Sequence, residues 1–156
     1  VFTPLLPQRL DNAYRGQRLA LWLFGVVLLM KSAMSLNSIF NSYFVASSAD
    51  GIPLDTYPAG AAGTIAALFA LLGLSHAVVC LLGVVALVRY RSLIPLLFVL
   101  FLLEHLSKTV ILYFRPIERI GAPPASIINL ILLSLLVIGL GLSLWSRDRA
   151  GAAGTG

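Results

Sequence analysis

Lys31, His76, Glu104 and Ser134 each stand thirteen residues from an arginine, counted along an apolar run from Arg18, Arg89, Arg91 and Arg147 in turn. In a helix thirteen residues rise about 20 Å, so four helices anchored by those arginines would carry the four polar side chains at one depth. His105 adjoins this layer, and Lys108 lies one turn further along the helix of Glu104. Glu104 is the only carboxylate within these runs; it can pair with Lys108 at i,i+4 or with Lys31 across a bundle. Two lysines against one glutamate leave a formal excess of one positive charge. The layer must therefore lose a proton or attract an anionic or electron-rich group. The chemistry open to such a set is a ligand or quinone headgroup site, a proton path or a haem site. The structural alternative is a buried Lys, Glu and His network that holds helix register and does no chemistry.

His76 and His105 are nearly level, and two level imidazoles on neighbouring helices are what a b-type haem requires. Gly73, Cys80 and Gly83 share the face of His76 and would let a macrocycle lie against the backbone. A hydrogen-bonded role beside Glu104 and Lys108 suits His105 equally well. A metal site from His76, His105 and Glu104 has suitable ligand types, but sequence neighbours on a helix point about 100° apart, so no metal is expected. With no buried aspartate to orient an imidazole, a Ser-His-Asp triad is unsupported, and no catalytic residue is expected. The single cysteine, Cys80, excludes an internal disulfide or a Cys-pair zinc site.

On the first run, Lys31, Ser35, Ser38 and Ser42 follow a 4, 3, 4 spacing that aligns them on one helical face. Asn37 and Asn41 make an adjacent row. Such a seam either hydrogen-bonds a neighbouring helix or forms a hydrated groove leading to Lys31.

The elements that must position these residues follow from composition. In 156 residues, 59% are hydrophobic and only 11% charged, and the mean hydropathy is +0.96. A soluble domain carries about 25% charged residues, so soluble enzymes, secreted disulfide scaffolds and nucleic-acid readers are excluded. A crossing helix needs about 20 apolar residues, and four runs qualify: 19–45, 61–88, 93–114 and 126–145. They lack the alternation of membrane strands. The expected fold is all-α, an integral membrane bundle of four antiparallel transmembrane helices forming one domain over 19–145.

Arg15 and Arg18 ahead of an apolar run resemble the start of a signal peptide, yet the run is expected to remain as a span. Seven arginines flank one side: Arg9, Arg15, Arg18, Arg89, Arg91, Arg147 and Arg149. The other side has Arg115 and Arg119, with Asp50 and Asp55 in its first loop. The positive-inside rule then puts both termini in the cytoplasm, with residues 1–18 an N-terminal arm and 146–156 a flexible tail that is Gly/Ala-rich from residue 150 onward.

Ala59, Gly63 and Ala67 form a small-xxx-small row, and Gly139 with Ser143 forms another. Such rows allow close helix approach, within one bundle or as docking faces for another membrane subunit.

The run Phe24-Gly25-Val26-Val27-Leu28-Leu29-Met30-Lys31 resembles the glycine-then-lysine first span of DoxX-like small four-helix membrane proteins. Residues 77–97, with Leu82-Gly83, Arg89, Arg91 and Pro95, resemble that family's middle hairpin. The likeness covers about three spans. It departs where members carry an acidic residue early in the second helix: here the polar residue is His76, and the carboxylate is Glu104 on the third. The resemblance implies a bacterial inner-membrane protein, linked in some relatives to quinone-coupled oxidation. Absence of catalytic equipment, together with the small-residue faces, favours an accessory or helper subunit that meets lipid and other membrane subunits and docks on a larger, bioenergetic complex. The alternative is a quinone-handling redox protein or a b-type haem protein.

Overall fold

The computed structural model describes Asn12, Tyr14 and residues 16–145; the predicted tail 146–156 and most of the predicted arm lie outside them. The described residues form helices and their connections, with no strand. Four long helices dominate: α1 (Arg18–Phe40), α2 (Ala59–Arg89), α3 (Ile94–Phe114) and α4 (Ala125–Leu144). Each is long and apolar enough to cross a membrane.

Local chemistry sets the ends of these helices. Pro58 precedes α2, and its carbonyl accepts from the amides of Ala61 and Ala62. Pro95 stands in the first turn of α3, where its missing N–H has no helical partner to lose. Pro123 and Pro124 supply the carbonyls that receive the first amides of α4, those of Ser126 and Ile127. The first helix ends earlier than the apolar run to residue 45 suggests. At Asn41 the backbone leaves helical geometry (φ −125°, ψ 41°), and a short helical turn (Ser42–Phe44) and a π-helical turn (Val45–Ala49) follow. The polar residues here offer local alternatives to the helical ladder: Asn41 donates to the Asn37 side chain at 2.9 Å, and Ser47 to the Tyr43 carbonyl at 2.9 Å.

α1 packs most extensively on α2 and also borders α4, which in turn packs on α3. Small residues make the first contact close. A Cβ on Gly73 would fall 2.8 Å from Ser38 Cβ and 2.9 Å from the Ser35 carbonyl oxygen, and one on Gly83 would fall 2.5 Å from Leu28 Cδ2. Across the bundle the backbones of α1 and α3 stand further apart, and aromatic rings fill the space: Phe24 meets Phe98 edge-on at 5.1 Å and stacks near Phe101 at 5.9 Å. Leu132 and Leu136 of α4 complete this core.

Beyond Phe40 a second, smaller core gathers Ala46, Ile52, Leu54 and Ala62. Gly51 turns the chain there with φ 74°, a conformation glycine adopts without steric cost. Its carbonyl accepts from Ile120 N–H at 2.8 Å, which ties the two connections at this end together. At the opposite end, Gln17 N–H donates to the Leu142 carbonyl at 3.2 Å and the Tyr14 hydroxyl to Ser143 Oγ at 3.0 Å. The chain entering α1 is thereby fastened to the end of α4. Outward faces are mostly aliphatic and aromatic, with Trp22, Leu29, Leu71, Leu81, Leu103 and Leu130 all exposed.

Candidate functional site

Three of the predicted polar residues meet where α1, α2 and α3 come together. Lys31 Nζ lies 3.1 Å from both carboxylate oxygens of Glu104, and His76 Nε2 lies 2.9 Å from Glu104 Oε1. One carboxylate thus receives a cation from α1 and an imidazole from α2. Phe101, one helical turn before Glu104, places its ring 5.0 Å from the ammonium, a cation–π contact that holds the lysine head from below.

The three members are not equally enclosed. The Lys31 side chain is 9% exposed, whereas Glu104 and His76 are 34% and 38% exposed. These two exposed members stand on α2 and α3, which make little contact with each other. His76 uses Nε2 toward Glu104, so in the neutral ring Nδ1 is left as a lone pair.

Of the seam on α1, Ser35 and Ser38 are spent on packing, Asn37 and Asn41 stay exposed, and Ser42 falls beyond the end of the helix. Ser35 is buried, and its hydroxyl donates to the Gly73 carbonyl. Ser38 stands against Gly73. This is side-chain to backbone bonding between helices, and α2 fills the face that a hydrated groove would need.

The other predicted residues lie apart from the cluster. Ser134 is exposed on α4 and bonds back to the Leu130 carbonyl at 2.9 Å. Lys108 is exposed, and no ion pair joins it to Glu104, whose oxygens face Lys31 and His76. His105, half-buried, is rotated about 100° around α3 from Glu104, away from the residue that His76 engages. A haem held between His76 and His105 does not fit this arrangement. The Nε2 of His76 points at a carboxylate, and the small residues Gly73 and Gly83, which would have received the macrocycle, are covered by Ser35, Ser38 and Leu28 of α1. Among the described residues no three metal-ligating side chains converge.

The small-residue rows separate. Ala59, Gly63 and Ala67 are exposed, with nothing within 4 Å of a Cβ placed on Gly63. Gly139 and Ser143 are buried, Gly139 beneath the Phe98 ring and Ser143 beside Tyr14. The second row therefore serves packing within the chain, the first of the two uses its spacing allows, and presents no docking face. Sequence reading missed Phe101 as a neighbour of Lys31. Its spacing from Glu104, three residues back on the same helix, was the available signal.

Comparison with protein-family models, curated proteins and solved structures finds nothing that matches the chain. The DoxX-like resemblance therefore rests on its motifs alone.

Proposed function

We propose that the chain is a multi-pass protein of a bacterial inner membrane, an antiparallel four-helix bundle with both ends cytoplasmic, and that its Lys31, Glu104 and His76 cluster receives the polar head of a quinone-class compound arriving through the lipid. The observation that carries this reading is the partial exposure of Glu104 and His76 at about 20 Å from the arginine-bearing end. Ionisable groups in hydrocarbon cost roughly 2.5–3.5 kcal/mol each on insertion scales and face the bundle interior or a polar partner. Here Lys31 does so, while Glu104 and His76 are each about a third exposed on an outward face. A lysine N–H can donate to a quinone carbonyl, and the Nδ1 lone pair of His76 can accept from a quinol O–H.

Binding of a short-chain ubiquinone analogue to the detergent-solubilised full chain tests this. The reading requires saturable binding, weakened about tenfold or more by Lys31→Met and by His76→Ala and unaffected by Ser134→Ala. Folded protein without saturable binding refutes it. Orientation is tested separately by placing a cysteine at position 148 in a Cys80→Ala background; labelling from the periplasmic side overturns cytoplasmic ends.

A second reading, a helper subunit docked on a larger membrane assembly, is favoured by the outward row of Ala59, Gly63 and Ala67. It requires a complex in native mild-detergent extracts that Gly63→Leu dissociates. Recovery as a monomer alone counts against it.

A further inference from the structure

A groove of about 650 Å³ runs down the outside of the bundle between α1 and the end of α2, on a different face of α1 from Lys31. At its mouth stand two guanidinium groups, Arg18 at the start of α1 and Arg91 just after α2. Below them Trp22, Gly25, Leu29 and Leu87 line it. Arg18, Trp22, Gly25 and Leu29 follow a 4, 3, 4 spacing and so share one face of α1. Gly25 keeps the floor low: a Cβ there would meet only Leu87 Cδ2, at 3.9 Å. Arg91 is held in place by its Nε donating to the Leu87 carbonyl at 3.1 Å. Among the described residues, neither arginine has a carboxylate within ion-pair distance.

From these features we propose that the groove is a binding site for one anionic phospholipid, with the phosphate between Arg18 and Arg91 and an acyl chain laid along Trp22, Gly25 and Leu29. Two arginines that no carboxylate among the described residues engages match a phosphate diester by charge and by fork geometry, and basic pockets at the cytoplasmic ends of membrane helices bind anionic headgroups. Dimensions agree as well. From Arg18 to Leu29 is eleven residues, about 16 Å of helix, close to half of a hydrocarbon core about 30 Å thick. The groove therefore spans one leaflet, from headgroup level to the midplane, as a single lipid chain does. A soluble phosphate compound would have no use for the apolar length. The inference rests on the membrane-embedded reading and is independent of what occupies the Lys31 cluster.

The chain has two tryptophans, so Trp145→Phe leaves Trp22, exposed along the groove, as the only indole. The full chain carrying that change is reconstituted in phosphatidylcholine vesicles containing a minor share of either dibrominated phosphatidylglycerol or dibrominated phosphatidylcholine. The site predicts quenching of Trp22 at roughly tenfold lower content of the anionic lipid, as two arginine contacts allow. Arg18→Gln with Arg91→Gln should abolish the preference, and Gly25→Leu should reduce quenching by filling the floor where Gly25 leaves room. Equal quenching by the two lipids, with the arginines intact, overturns the site while leaving the membrane reading in place. Quenching by neither overturns both. Relief of quenching by free inorganic phosphate at constant ionic strength would assign the arginines to a soluble anion and overturn the lipid assignment.

Discussion

Replacing Lys31 by methionine and Glu104 by glutamine, singly and together, separates the two halves of the ion pair because the two residues are buried to different extents. Glu104→Gln leaves the ammonium of Lys31, 9% exposed, facing a neutral amide. An uncompensated charge at that depth costs about 3 kcal/mol. Lys31→Met leaves a carboxylate that is a third exposed and keeps His76 at 2.9 Å, so the loss is smaller, about 1.5 kcal/mol after allowing for the open side. The double variant has no unpaired charge and retains a methionine against Phe101; about 2 kcal/mol is expected. The singles sum to about 4.5 kcal/mol, so the coupling is about 2.5 kcal/mol, within the span for contacting residues. Reversible unfolding in mixed micelles, read by helical circular dichroism, measures all four corners. Additivity to within about 0.5 kcal/mol would refute the pairing. A larger loss for Lys31→Met than for Glu104→Gln would refute the reasoning from burial.

The same assay separates the glycines of α2. Gly73→Ala should destabilise by about 1–3 kcal/mol because its methyl would press on the backbone of Ser35, whereas Gly63→Ala should be neutral or stabilising by up to about 1 kcal/mol from helix propensity alone. Gly139→Leu should lower stability of the isolated chain by driving a side chain into Phe98; unchanged stability would show that this face of α4 is free. Tyr14 has its phenol pushed above the ordinary value of 10.0 by burial, with the Ser143 hydrogen bond opposing the rise. Its contribution to stability is present below pH 10 and is lost as pH rises through the higher folded value, and Ser143→Ala should move its phenolate absorbance to still higher pH. A shift to lower pH would contradict that assignment of causes.

How far the cluster can be read from the sequence depends on what counting residues measures. Thirteen residues from an arginine sets a height along a helix, and Lys31, His76 and Glu104 do share a height. It does not set the direction around the helix, which depends on neighbouring helices. Ser134 has the same count and points outward, because the inner face of α4 is taken by Leu132, Leu136 and Gly139. Lys108 had the i,i+4 spacing to pair with Glu104, yet the α1 partner takes that carboxylate. The four long apolar helices are legible because apolar run length is a one-dimensional property. The break at Asn41 is hidden by the continuing run from Tyr43 to Val45 and has its only sequence signal in the Asn and Ser residues around it. Small-residue rows show where helices can approach and leave open which approach. Gly73 and Gly83 face α1, Gly139 faces Phe98, and Gly63 faces outward.

The separation of Lys31 from Glu104 by 73 positions also has a consequence in time. At about 5–20 residues per second, a ribosome needs roughly 4–15 seconds after completing Lys31 to make the carboxylate that neutralises it. On the proposed insertion, α1 must wait through that interval with an unanswered cation, and its most apolar window, at mean hydropathy 1.9, is less apolar than those of α2 and α4 at 2.5 and 2.6. His76 arrives sooner but brings no negative charge. During synthesis the first helix is therefore a provisional resident, held by its close contact with α2 once that helix emerges and committed to the bilayer only when the third delivers Glu104. A nascent chain arrested before residue 104 should leave α1 open to the aqueous channel of the insertion machinery, and one arrested after α3 has emerged should not.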